Sequence, residues 1–158
     1  FATITLGQRH ILFEMGETEL ICRRLEGDFL DYKNAIPRRN PISVTVDTKA
    51  MLESLDRVSV VISEKLKSPV RCIFEQDRVI LSAKTANGDA KDVCRIDGDG
   101  QGLEIGFNNR YLMDALRFAP ADELKLELNT GISPAILVPT DGEESFLYMV
   151  LPVRLKAQ

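Results

Sequence analysis

The chain writes one short passage twice. TVDTKAMLESLDRV occupies residues 45–58, and GFNNRYLMDALRFA occupies residues 106–119. In register, Asp47 meets Asn108, Thr48 meets Asn109, Lys49 meets Arg110, Met51 meets Leu112, Leu52 meets Met113, Glu53 meets Asp114 and Leu55 meets Leu116. In each copy a short polar residue stands in front of apolar residues at helical spacing. Asp47 or Thr48 can cap the first helix, and Asn108 or Asn109 the second. Met51, Leu52, Leu55 and Val58 form the apolar stripe of one; Tyr111, Leu112, Ala115 and Leu116 form that of the other. Any fold for this chain must therefore bury two similar amphipathic helices in similar surroundings.

Nearly everything else alternates with a period of two. The spacing predicts strands over 42–46, 70–75, 78–83, 92–97, 103–107, 123–128, 135–139 and 145–151. Turn-type residues separate them, at Glu75-Gln76-Asp77, Asn87-Gly88-Asp89, Asp97 to Gly102, Thr130-Gly131 and Thr140-Asp141-Gly142. The order is strand, helix, three strands, stated twice. Residues 41–155 thus read as a tandem β-α-β-β-β unit, an α+β fold with two helices packed side by side against antiparallel sheets. ATITLG, ILFEMG and TELICRRL add three strands with no helix before them, followed by LEGDFLDYKNAIPRRN. They read as the tail of a further such unit plus a linker, the alternative being edge strands of the same domain. Phe1 already lies inside an alternating pattern, so a fragment of a longer polypeptide is expected.

Composition narrows the function classes. At 158 residues, 44% of them hydrophobic and 28% charged, the chain suits one ordinary globular domain, or one domain plus a piece of another. No apolar run reaches the roughly 18–20 residues of a membrane helix. Cys22, Cys72 and Cys94 are an odd, widely spaced set in apolar stretches, read as buried thiols rather than metal ligands or a disulfide framework. His10 is the only histidine, so neither a metal site nor a Ser-His-acid set can be assembled around it. GDGQG at 98–102 has the composition of a phosphate loop, but a strand follows it where a helix is required, which predicts a hairpin turn. Asp97 and Asp99 lack a calcium loop around them. No cofactor, metal or catalytic group is expected.

A net charge of −4 argues against tight nucleic-acid binding over the whole surface, though not against weak local contacts. Lys49 and Arg57 lie on the polar side of the first helix, and Arg110 and Arg117 share a face of the second. Glu53, Asp56 and Asp114 accompany them, so a mixed solvated face explains these residues as well as a DNA-facing surface does.

The linker LEGDFLDYKNAIPRRN, the run LEIGFNNRYLMDAL, the SEKL step after the first helix and the ending YMVLPVRL together resemble the bacterial sliding clamp family, the beta subunit of DNA polymerase III. The resemblance implies the DNA-clamp fold over the whole chain. Residues 1–32 match the end of the second clamp domain, 33–40 an interdomain linker and 41–158 the third domain. It further implies a non-catalytic processivity factor of the cytoplasm, with two chains closed as a ring around double-stranded DNA. Helices would line the hole, placing Lys49, Arg57, Arg110 and Arg117 towards the duplex with weak contacts. Partners implied are the polymerase III alpha subunit, the clamp loader, other proteins bearing clamp-binding motifs, and a second clamp chain.

Two groups of positions carry over. The family's peptide-binding pocket maps to Leu30, Asn34, Ala35, Leu66, Asn108, Tyr111, Ile132, Pro134, Met149, Val150, Leu151, Pro152, Val153, Arg154 and Leu155. The dimer contact maps to Val60 and Val61. The chain departs from the family pattern in three places. FLDY replaces the usual FPDY, Asn34 stands where a basic residue is common, and NGDAKD at 87–92 replaces an acidic stretch near the dimer contact. Residues 156–158 extend past the family's usual end.

Overall fold

In the computed structural model residues 1–63, 68–143 and 145–155 are described, and the chain divides into two compact units, Phe1–Lys33 and Asn34–Gln158. In the first unit β1 (Thr3–Leu6), β2 (His10–Met15) and β3 (Thr18–Arg23) form an antiparallel sheet. The register sets Ile4 against Phe13 and Phe13 against Leu20, with Leu6, Ile11 and Cys22 in the next row. Because strand side chains alternate, these residues share one apolar face. Cys22 is only half-buried there, unlike Cys72 and Cys94, which are buried as expected. A four-residue helix, α1 (Tyr32–Ala35), spans the boundary between the units.

The second unit contains β4 (Ile42–Asp47), α2 (Thr48–Ser59), β5 (Val70–Thr85), β6 (Gly88–Phe107), α3 (Asn109–Phe118), β7 (Glu123–Leu128), β8 (Ala135–Pro139), β9 (Tyr148–Val150) and β10 (Pro152–Val153). Both helices begin where the caps predict. Asp47 Oδ1 accepts from the Ala50 amide at 2.7 Å, and Asn108 Oδ1 accepts from the amides of Arg110 and Tyr111 at 3.0 and 3.4 Å. Each satisfies amides that the first helical turn leaves without partners. The equivalent pairs Met51 and Leu112, Ser54 and Ala115, Leu55 and Leu116 are all buried. α2 and α3 pack side by side. The start of α2 is tied to the segment after α3, since the Thr48 amide donates to Asp122 O and its hydroxyl to Ala121 O, both at 2.8 Å. Tyr111, expected on the apolar stripe, is instead 62% exposed, and Met113 takes the buried place.

The seven strands found among the described residues of this unit are all antiparallel. Six follow the order β10-β6-β4-β7-β8-β9, and β5 pairs with β6. Two expected turns do not exist. Glu75-Gln76-Asp77 and Gly98 to Gly102 are opposing irregularities within one long hairpin, where Phe74 pairs with Leu103, Gln76 with Asp99 and Arg78 with Arg95. Asp77 and Gln101 adopt φ of 57° and 55°, and Gly98 and Gly102 adopt 118° and 70°. Such residues kink a strand as readily as they reverse it. Gly100 packs directly on Phe74, where a Cβ would come within 2.3 Å of the Phe74 Cβ. Beyond the kink β6 changes neighbours. Its first half bonds β4 through Thr45–Asp97 and Val46–Ile96, and its last residues bond β10 through Pro152–Phe107 and Val153–Gly106. One strand therefore ends the first repeat and starts the second.

The strand expected over 145–151 is likewise divided. β9 adds to β8, while β10, one residue later, adds to β6. Leu151 carries the chain from one end of the sheet path to the other, so the sheet curls back on itself around the helices. The interior is apolar throughout, with Ser54 the one buried polar residue among those described.

Candidate partner-binding site

A cleft of about 640 Å³ opens between the end of α2 and the first turns of α3. Ser59, Ile62, Ser63 and Ser68 line one side; Asn108, Asn109, Tyr111 and Met113, with the charged Arg110, Asp114 and Arg117, line the other. The N-cap role of Asn108 fixes its side chain at the mouth, and the tyrosine ring projects one turn further on. Asn109 donates to Met113 Sδ at 3.1 Å, leaving its buried Oδ1 without a protein partner. The cleft therefore combines apolar surface from Ile62, Tyr111 and Met113 with an orphaned acceptor and a charged rim of Arg110, Asp114 and Arg117, which can orient a short ligand segment. Ser59, Ile62, Asn109 and Met113 were not legible as site residues, because in sequence they read only as helix ends and core.

Two further segments converge on the strand that leads into Asn108. Val153 O and Leu155 Cδ2 each lie 2.6 Å from where a Cβ on Gly106 would stand, so only glycine admits this terminal segment so close to β6. The same space argument places Gly131 against Glu104 O, also at 2.6 Å. Ile132 and Leu151 are exposed apolar side chains, and Met149, Pro134, Pro152, Val153 and Leu155 are half-buried. Val150 is 4% exposed and belongs to the core, so it has no surface to offer a partner. Arg154 is exposed. Asn34 and Ala35 are exposed on α1, and Leu30 is exposed in the first unit. Leu66 lies outside the described residues.

Val60 and Val61 part company. Val60, at the C-cap of α2, is 84% exposed, while Val61 packs on the core. The four candidate cations also differ. Arg57 is turned onto Asp92 and Ser54. Arg110 and Arg117 both approach Asp114, at 3.9 and 3.3 Å. Lys49 stands exposed and, with Arg117, borders a shallow depression of about 520 Å³ between the start of α2 and the end of α3. Burial of Asp92 favours its protonated form, but hydrogen bonds from Arg57, the Val93 backbone and Ser54 outweigh it and hold the carboxyl below its ordinary range. Burial raises the Cys72 and Cys94 thiols, which leaves both inert near neutrality. Among the described residues no cluster of three metal-ligating side chains occurs.

Residues 33–154 match the family model described as the C-terminal domain of the DNA polymerase III beta subunit. The chain belongs to that family. It is 32% identical over 160 residues to the beta sliding clamp of Synechocystis sp., covering 97% of this chain and 39% of that protein. It superposes on the DNA polymerase sliding clamp of Caulobacter crescentus with a TM-score of 0.84 at 26% identity, covering 98% of this chain and 41% of that one. A sliding clamp from Bartonella birtlesii, solved bound to griselimycin, gives 0.83 at 29% identity, covering 98% and 41%. The chain thus spans about two fifths of its clamp relatives.

Proposed function

We propose that this chain is the C-terminal part of a replication sliding clamp, with residues 1–32 closing a second clamp domain, 33–40 linking, and 41–158 forming the third. The carrying observation is the family match over residues 33–154 on a fold that superposes on sliding clamps. In this reading the protein performs no chemistry. It encircles double-stranded DNA in the cytoplasm as a ring of two chains and tethers polymerase III through its alpha subunit. Lys49 and Arg117, bordering one depression between the helices, are the cations best placed to meet the phosphate backbone. Arg57 is held by Asp92 at 2.8 Å, more closely than Arg117 is by Asp114 at 3.3 Å, and takes a lesser part. Few free cations suit a ring that must slide, since each neutralised phosphate adds to affinity and to friction. Val60 supplies the apolar contact to the second chain.

The same reading makes the face around Asn108, Tyr111, Ile132 and the 149–155 segment the docking place for short Gln-and-Leu/Phe peptides of polymerases, the clamp loader and repair proteins. The apolar lining supports it, as do Pro134 and Pro152, which stiffen two walls and lower the ordering cost of binding. That a related clamp is found with griselimycin bound is in keeping with such a site. Titrating a labelled clamp-binding peptide against the chain and its Tyr111→Ala variant tests this. Tyr111 is exposed, so the variant keeps its fold, and losing about 1.5–3 kcal/mol of ring burial weakens binding roughly ten- to hundredfold. Equal binding by both chains removes the cleft from the peptide site.

A further inference from the structure

Two attachments hold the C-terminal end of α2 to the β5–β6 hairpin. Arg57 places Nε and Nη2 each 2.8 Å from Asp92 Oδ2, and Nη2 also donates to Ser54 Oγ at 2.9 Å. One turn on, the Thr85 hydroxyl reaches the Val61 carbonyl at 2.9 Å, closer than its other acceptor, Gly88 O, at 3.2 Å. Val60 lies between the two attachments and projects outward. Val61 beneath it is anchored on the core.

We propose that Arg57, Asp92 and Thr85 are positioning residues that fix the last turn of α2, so that Val60 is presented to a second clamp chain from a rigid corner. The inference rests on the dimer-contact reading above and adds to it which residues set the geometry. Helix ends fray, and an apolar side chain on a frayed turn must be ordered at the moment of association, at the expense of affinity. Clamping the turn from the neighbouring hairpin removes that step.

Amide hydrogen exchange of the 158-residue chain tests the clasp. The Arg57–Asp92 pair is partly exposed, so its loss acts locally rather than on global stability. Asp92→Asn and Thr85→Val should each speed exchange at residues 58–62 by about 2- to 10-fold, leaving the amides of α3 unchanged. Asp92→Glu, which keeps the charge, should remain near the parent rates. Unchanged rates at 58–62, or an equal rise across both helices, overturns the proposal. Val60→Asp separates it from the dimer reading. That variant keeps the parent exchange pattern but should abolish pairing when built into a complete clamp chain. Normal pairing by Val60→Asp alongside fast exchange in Asp92→Asn would retire the dimer contact and leave the clasp standing.

Discussion

α2 and α3 are the same helix to the core and different helices to the surface. Inward, Met51, Ser54 and Leu55 of one stand where Leu112, Ala115 and Leu116 of the other do, and all six are buried. Outward, α2 sends Arg57 across to Asp92 on the neighbouring sheet. α3 instead keeps its arginines on its own surface around Asp114, at spacings of three and four residues. Only the inward set is constrained by packing, where a change of one methylene is felt. The outward set was free to take up separate tasks. That division explains how a duplicated unit supplies both a clasped corner at Val60 and an open cleft at Tyr111.

Truncating the shared core should break both halves equally. Leu55→Ala and Leu116→Ala each remove a side chain at most 1% exposed and should each cost about 2–5 kcal/mol in urea unfolding. A large difference between them would show that the two repeats are not packed alike. Exchanging the single polar core position separates the halves. Ala115→Ser places a hydroxyl against α3's apolar surroundings without the arginine that α2 supplies, and should cost about 1–3 kcal/mol. Ser54→Ala gives up the hydrogen bonds to Arg57 and Asp92, both partly exposed partners that keep each other, and should cost less, about 1 kcal/mol.

Removing the caps should cost about 1 kcal/mol in each repeat, through Asp47→Ala and Asn108→Ala. Asn108→Ala should in addition weaken the clamp-binding peptide, because Asn108 stands at the mouth of the cleft, whereas Asp47→Ala should not. The smallest effect concerns pH. The folded-state pKa of Asp92 is depressed, so its contribution is present above the ordinary carboxylate range and is lost as pH falls through the folded value. The stability gap between the parent chain and Asp92→Asn should therefore close on acidification in thermal melts. Because the pair is partly exposed, that gap should stay below about 1 kcal/mol. A gap that widens towards low pH would mean that Asp92 is not stabilised in its charged form.

Short-range rules were enough to find both helices, their caps, the bounds of β7 and β8, and the fact of duplication. Each depends on spacing within a few residues: a capping oxygen three positions from its amide, or apolar side chains returning every turn or every second residue. The terminal motif YMVLPVRL and the IGFN run also carried the family, which the match over residues 33–154 established. Ser54 and Asp92 had only a faint signal, a serine where the other repeat has alanine and an acid within NGDAKD.

What the sequence could not decide was where chain segments meet. Glycine and aspartate at positive φ serve a hairpin turn and a strand kink alike. Only pairing with β5 on both sides of the kink, bridged by Gln76 and Asp99, made 88–107 a single bent strand. Leu151 links β9 and β10 because the two edges of the curled sheet happen to face one another there. Tyr111 sits at helical spacing for the core yet points to solvent, because Met113 and the adjoining sheet already fill the interior. Arg57 reads as a free cation until the fold carries Asp92, far along the chain, to within 2.8 Å. Local periodicity follows from backbone geometry and is written residue by residue. Which surfaces are left open, and which charges are already engaged, depends on contacts between distant segments and exists only once the sheet has closed.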